Sequence, residues 1–196
     1  MLINFLGAPS SGKTTIAANV FARLKAMGVS AEFIAERARE VIAKYKMQGK
    51  PLDLNDEMQN EIFLAQYDAE MAFATGTENP IICDSSALLT LAYMSDGYAE
   101  RHVKVIEHIV ESITPKMDIV FYCPLVKREN LRDSNRIHNF AQSEEVDKKI
   151  RLLIKERLTG KKVVILSGTI EDMTYQVICE IMSKKNHLTQ KTKWVQ

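Results

Sequence analysis

The chain reads as an α/β protein, and three observations carry that reading. Short apolar runs recur at Met1 to Leu6, Ala31 to Ala35, Pro80 to Asp84, Asp118 to Tyr122 and Lys162 to Leu166. Longer stretches with apolar residues at helical spacing separate them, and a G-x-x-x-x-G-K-[ST] segment joins the first run to the first of those stretches. Strands of a parallel sheet are buried on both faces and need helical crossovers between them, which this alternation supplies.

Each element has local support. Gly7-Ala8-Pro9-Ser10-Ser11-Gly12-Lys13-Thr14 ends the first run, and Ile16, Val20, Leu24 and Met27 then fall at intervals of four, four and three before Gly28. The second run leads into Glu36-Arg37-Ala38-Arg39 and a helix to about Tyr45, closed by Gly49 and Pro51. A helix over Asp56 to Ala74 carries Met58, Ile62, Ala65, Ala69 and Phe73 on one side. Gln59 and Gln66 lie off that stripe, where solvent or local structure is their expected use and recognition of a base is the alternative. Val103, Ile106, Ile109, Val110 and Ile113 mark the next helix, Val146, Ile150, Leu153 and Ile154 another, and Glu171 to Met182 the last. With no internal repeat or linker, one domain is expected over residues 1–185, followed by a polar tail at 186–196.

At 196 residues the chain can bury a sizeable core, and 46% hydrophobic residues with only 8 Gly and 5 Pro exclude wholesale disorder and collagen-like structure. The 26 Lys and Arg against 25 Asp and Glu leave a formal charge of +1, which offers no broad field for nucleic acid. Cys83, Cys123 and Cys179 are odd in number and far apart, so they are expected as reduced thiols filling core positions in a cytoplasmic protein. No run of 18 apolar residues occurs, and the glycine-rich segment begins by the seventh residue; neither a membrane span nor a cleaved signal is expected. His102 and His108 lack H-E-x-x-H spacing and a third ligand, which excludes zinc catalysis.

The chemistry is concentrated in the glycine-rich segment. Glycines let the backbone approach phosphate without Cβ obstruction, and successive N–H groups plus a helix terminus face its oxygens. Gly7, Ala8, Pro9, Ser10, Ser11, Gly12, Lys13, Thr14 and Thr15 are therefore the expected cradle for ATP, with Lys13 on the outer phosphates and the Thr14 hydroxyl on Mg²⁺. Asp84 ends the third run as a Walker-B-like acid, able to accept from Mg²⁺-bound water or an acceptor hydroxyl; a strand-end cap is its plainer role. Glu36 ends the second run and is the candidate acceptor-orienting carboxylate or general base, against a helix cap or salt bridge. Ser167-Gly168-Thr169 either borders the nucleotide base through the backbone at Gly168 or simply connects strand to helix. Four cations fall between Lys127 and Arg136, and Arg128, Arg132 and Arg136 would share one helical face. Such a stretch suits a lid, at about 125–142, that closes over phosphates.

These motifs resemble small P-loop kinases of the AAA_28-like type, which include the nicotinamide riboside kinase domain and phage-encoded 5-hydroxymethyluridine DNA kinases. The resemblance runs from Asn4 to Thr14 through Glu36-Arg37-Ala38-Arg39 and Ile81-Ile82-Cys83-Asp84-Ser85-Ser86 to Gln142-Ser143-Glu144-Glu145-Val146-Asp147. It implies a three-layer P-loop kinase sandwich with a five-stranded parallel sheet in the order 2-3-1-4-5. It also implies Gly7 to Thr15 as the phosphate and Mg²⁺ cradle, Asp84 as the strand-end acid and Arg128 to Arg136 as the lid. The compact phage-like pattern favours transfer from ATP to the 5-hydroxymethyl group of deoxyuridine in DNA, in host cytoplasm. Nicotinamide riboside or another free nucleoside is the alternative acceptor, and an ATP-hydrolysing binding switch is the alternative class.

Overall fold

The computed structural model describes residues 1–52, 56–77, 79–94, 100–125 and 140–193, and side chains at all of these except 56, 100–102 and 185–193. Strand β1 (Leu2–Leu6) leads to helix α1 (Lys13–Ala26), β2 (Glu32–Ile34), α2 (Ala38–Met47), α3 (Asp56–Gly76) and β3 (Ile81–Cys83). A 3₁₀ turn (Ala87–Leu89) and the short α4 (Thr90–Tyr93) follow, then α5 (Glu100–Ile113), β4 (Met117–Tyr122), α6 (Phe140–Arg157), β5 (Val163–Ile165) and α7 (Ile170–Lys193). The five strands form one parallel sheet in the order β2-β3-β1-β4-β5, as the resemblance implied. Helix α7 continues through residues assigned to the polar tail, to Lys193.

Alternation along the strands divides the core into two layers. Ile3 and Phe5 of β1, with Ile119 and Phe121 of β4, face Ile16, Val20 and Leu24 of α1 and Met173, Val177 and Ile181 of α7. The Phe5 and Phe121 rings stack at 5.5 Å, a pair worth about 1 kcal/mol beyond its area burial. On the opposite face Leu6, Val120 and Tyr122 meet Ile106, Val110 and Ile113 of α5 and Val146 and Ile150 of α6. Leu2, Ile34, Ile81 and Cys83 pack there against Ala69 and Phe73 of α3. The α3 stripe divides, because Met58 and Ile62 turn instead to Val41, Ile42 and Tyr45 of α2.

Gly28 ends α1 in the left-handed region at φ +74°. The Val29 N–H donates to the Leu24 carbonyl and the Gly28 N–H to that of Lys25, the Schellman pattern a Cβ would disfavour. Met27, the fourth member of the helical stripe, sits at this terminus and is exposed. Cys83 and Cys123 are buried as expected, but Cys179 is exposed on α7. Its expected core role is therefore corrected: the inward face of α7 is already filled by Met173, Val177, Ile178 and Ile181. Among the described residues no helix is long and apolar enough to cross a membrane.

Candidate active site

The ends of β1, β2 and β3 sit side by side because β3 pairs with both neighbours. From β1 the chain enters the glycine-rich loop. A Cβ at Gly7 would lie 2.5 Å from the Cys123 carbonyl oxygen and 2.7 Å from Ser11 Oγ, so the loop closes this tightly only with glycine there. Ser10 takes φ +75°, an uncommon conformation for a residue with a side chain. Helix α1 starts from Gly12 with no side-chain cap and no acidic residue in its first turn, which leaves N–H groups and the positive end of the helix facing the loop. Lys13, only 8% exposed, donates its ammonium hydrogens to the carbonyls of Gly7 (2.7 Å) and Ala8 (3.1 Å).

Asp84 follows β3 and is 2% exposed, with the Thr14 hydroxyl beside its carboxylate. Its Oδ1 has no partner among the described residues. Burial pushes its carboxyl above the ordinary value, the nearby Thr14 hydroxyl works against that, and the Glu36 charge adds to it. Glu36 follows β2 and lies 3.6 Å from Arg39, so an ion pair and a place at the cavity coexist. The cavity has a volume of about 570 Å³ and joins Pro9, Ser10, Gly12, Lys13, Thr14 and Thr15 to Glu36, Gln59, Gln66, Ser85 and Ser86. Ile42, Ile62, Leu89 and Tyr93 give it an apolar wall. Asp84 lies behind Thr14 and outside that lining. Burial, and then the Glu36 charge, raise the Tyr93 phenol, which therefore stays neutral.

Gln59 at 4% exposed and Gln66 at 3% are both away from solvent, and Gln66 takes the local-structure use, bonded to Arg37 and Glu70. Sequence reasoning missed Glu70, which is 0% exposed. It accepts hydrogen bonds from the Ala87 N–H (2.7 Å), Gln66 Nε2 (3.2 Å) and Ser86 Oγ (3.5 Å). The available signal was spacing: Gln66 and Glu70 stand one turn apart, between the core residues Phe63 and Phe73, which makes them a polar pair on an inward face.

Burial raises the Glu70 carboxyl from 4.5 to about 7 despite these bonds. An acid raised in the folded state contributes full stability below its unfolded value and loses it as pH rises through the folded one. Between pH 4.5 and 7 the protein is expected to lose about 3 kcal/mol of unfolding free energy from this group. Denaturant melts across that range check it, and Glu70→Gln should flatten the slope; an unchanged slope in the variant would assign it to other groups.

Gly168 stands at the turn before α7, where Thr169 and Asp172 cap each other: the Thr169 N–H and hydroxyl donate to Asp172 Oδ2, and the Asp172 N–H donates to Thr169 Oγ1. Gly168 is not among the residues lining the cavity. The Arg37 guanidinium pairs with Glu40 at 2.6 Å. Arg128, Arg132 and Arg136, and most of the expected lid at 125–142, lie outside the described residues.

Comparison with known proteins agrees with this fold. The deoxyadenosine kinase from M. mycoides, solved with dCMP and dCDP, superposes with a TM-score of 0.64 at 17% identity, covering 93% of this chain and 100% of that one. NadR in complex with NAD and AMP-PNP gives a TM-score of 0.70 at 18% identity; 93% of this chain matches 48% of NadR, so the chain spans about half that protein. YorR from Bacillus subtilis, in complex with phosphorylated GDP, gives 0.57 at 16% identity over 95% and 99% of the two chains. No curated protein sequence matches the chain. The AAA_28 family, described as an AAA domain, matches residues 2–172. With its glycine-rich loop, its 2-3-1-4-5 sheet and that match over most of its length, the chain belongs to the AAA_28 family, and its fold is one shared with ATP-dependent phosphotransferases.

Proposed function

We propose that the protein is an ATP-dependent kinase that phosphorylates a hydroxyl of a free nucleoside-type acceptor. The observation that carries this is the single cavity that runs from Lys13 and Thr14 to Glu36 and then to the apolar wall of Ile42, Ile62, Leu89 and Tyr93. Such a wall suits a base, and Gln59 is placed to bond its edge.

The residues fit a Mg²⁺ site: a threonine hydroxyl and a carboxylate with an unpartnered oxygen are the hard oxygen donors that Mg²⁺ prefers when it keeps several waters. Thr14 and Asp84 would hold the ion, which when bound neutralises charge on the phosphates. Lys13 swings its ammonium from the Gly7 and Ala8 carbonyls onto the phosphate oxygens. Glu36, which lines the cavity where Asp84 does not, accepts the hydroxyl proton of the acceptor as the acceptor oxygen bonds to the γ-phosphorus of ATP and the bond from that phosphorus to the β,γ-bridging oxygen breaks to release ADP. Arg39 pairs with that carboxylate at 3.6 Å and helps to orient it.

A second reading, transfer to the 5-hydroxymethyl group of deoxyuridine in DNA, has one feature in its favour. Arg39 and Lys46 lie two helical turns apart on the cavity side of α2 and are exposed, within reach of backbone phosphates. The experiment offers labelled ATP and Mg²⁺ with deoxynucleosides, nicotinamide riboside, 5-hydroxymethyluracil DNA and unmodified DNA, and identifies products by mass. A phosphorylated free nucleoside is expected. Transfer to modified DNA alone would reverse the acceptor, and ADP without any phosphorylated acceptor would favour an ATP-driven binding switch.

A further inference from the structure

One side chain is bonded to the residue that follows each of the two candidate site carboxylates. Gln66 Oε1 accepts from the N–H of Arg37, the residue after Glu36, at 3.1 Å. Its Nε2 donates toward the carbonyl of Ser85, the residue after Asp84, at 3.5 Å, and toward Cys83 Sγ at 3.3 Å. The orientation of the amide follows from its partners: an N–H donor demands the oxygen on one side, and a carboxylate and a carbonyl demand the nitrogen on the other. Glu70 Oε1 takes the same Nε2 and the Ala87 N–H, while Oε2 takes Ser86 Oγ.

We infer that Gln66 and Glu70 form a buried strut between the ends of β2 and β3 that sets the spacing of Glu36 and Asp84, making both of them positioning residues for phosphoryl transfer. The inference rests on the acceptor reading of the cavity. A buried carboxylate at position 70 carries a desolvation cost, which is offset here by the bonds it takes from Gln66, Ser86 and Ala87. Those bonds fix the Ser85 to Ala87 segment, two residues of which line the cavity. Cys83 completes the cluster from β3 by donating to the Ser85 carbonyl. Burial, and then the Glu70 charge, push its thiol up and keep it a neutral donor. A fully satisfied buried network of this kind holds one geometry, and displacement of a reacting group by about 1 Å costs on the order of 100-fold in rate. With its amide committed in this way, Gln66 is a spacer and Gln59 the residue left to meet the acceptor.

The test compares Gln66→Leu, Glu70→Ala and Glu70→Gln with the wild-type protein. Gln66→Leu and Glu70→Ala should lower kcat/KM for the acceptor about 100-fold and, because Asp84 is one of the two groups held, weaken the Mg²⁺-dependent binding of a non-hydrolysable ATP analogue, while its metal-free binding at the loop stays nearly unchanged. Amide exchange in the free protein should quicken at Arg37 in the first variant and at Ala87 in the second. Glu70→Gln should recover most of the rate, because its oxygen still accepts from Ala87 and Gln66 and its amide can donate to Ser86 Oγ. If Glu70→Ala does not fold, Gln66→Leu is read in the same way. Folded variants that transfer at the wild-type rate, or that lose metal-free binding of the ATP analogue in step with acceptor turnover, overturn the strut. A wild-type protein that phosphorylates no nucleoside or DNA overturns the acceptor reading first, and the strut's role with it, even where both amides are protected.

Discussion

Lys13→Ala is expected to fold normally and to lose about 1,000-fold in MgATP-dependent phosphoryl transfer. The two halves of that expectation come from different parts of the structure. Lys13 opens α1, but the helix is held to the sheet by Ile16, Val20 and Leu24 in the core shared with α7. The Lys13 ammonium contributes two hydrogen bonds, both to loop carbonyls, so its removal should alter stability by about 1–2 kcal/mol at most. Turnover depends on it far more, since few other groups can bring a charge to the outer phosphates from inside the loop. Thermal melts and product mass together check both halves, and a folded variant with near-wild-type transfer defeats the phosphate role.

Asp84→Asn should separate stability from activity in the opposite sense. The wild-type carboxylate is buried, with one oxygen unpartnered and its carboxyl raised by that burial. A raised acid costs stability as pH climbs from its ordinary value of 3.8 through the folded one, so at neutral pH the free asparagine variant should be as stable as the wild type or more so. Binding reverses the order. MgATP at about 100 times its Kd should stabilise the wild type by roughly 2.7 kcal/mol, and the Mg²⁺-dependent share of that gain should vanish in the variant. Turnover should fall on the order of 100- to 1,000-fold. If the variant keeps its Mg²⁺-dependent melting shift, the metal assignment to Asp84 is wrong.

Much of this was legible along the chain. The glycine-rich loop is contiguous, and its geometry follows from which residues lack a Cβ and where helix α1 begins, so Gly7 and Lys13 could be placed by spacing. The ends of β2 and β3 could be read from apolar runs that stop at Glu36 and Asp84. Polar residues within α3 could not be read as simply. That helix has inward faces toward α2, the sheet and the α5 side, so an apolar stripe drawn on one side left Gln59 and Gln66 to solvent or local structure and gave Glu70 no role. Tyr93 carried no motif, and only the fold brings it to the cavity. Cys179 erred the other way, as a small apolar residue on an already crowded helix whose outward face it occupies.

By itself the sequence determined the glycine-rich loop, the strand–helix alternation and the two carboxylates at strand ends, because each is a property of neighbouring residues and of local backbone sterics. The tertiary structure decided what those carboxylates share. Sheet order sets β2 beside β3 although helices α2 and α3 lie between them in the chain, and the side chains of α3 then reach across both strand ends. Which polar groups end up buried there, and which of them hold the site open at a fixed spacing, depends on non-local packing and desolvation that no single stretch of residues encodes.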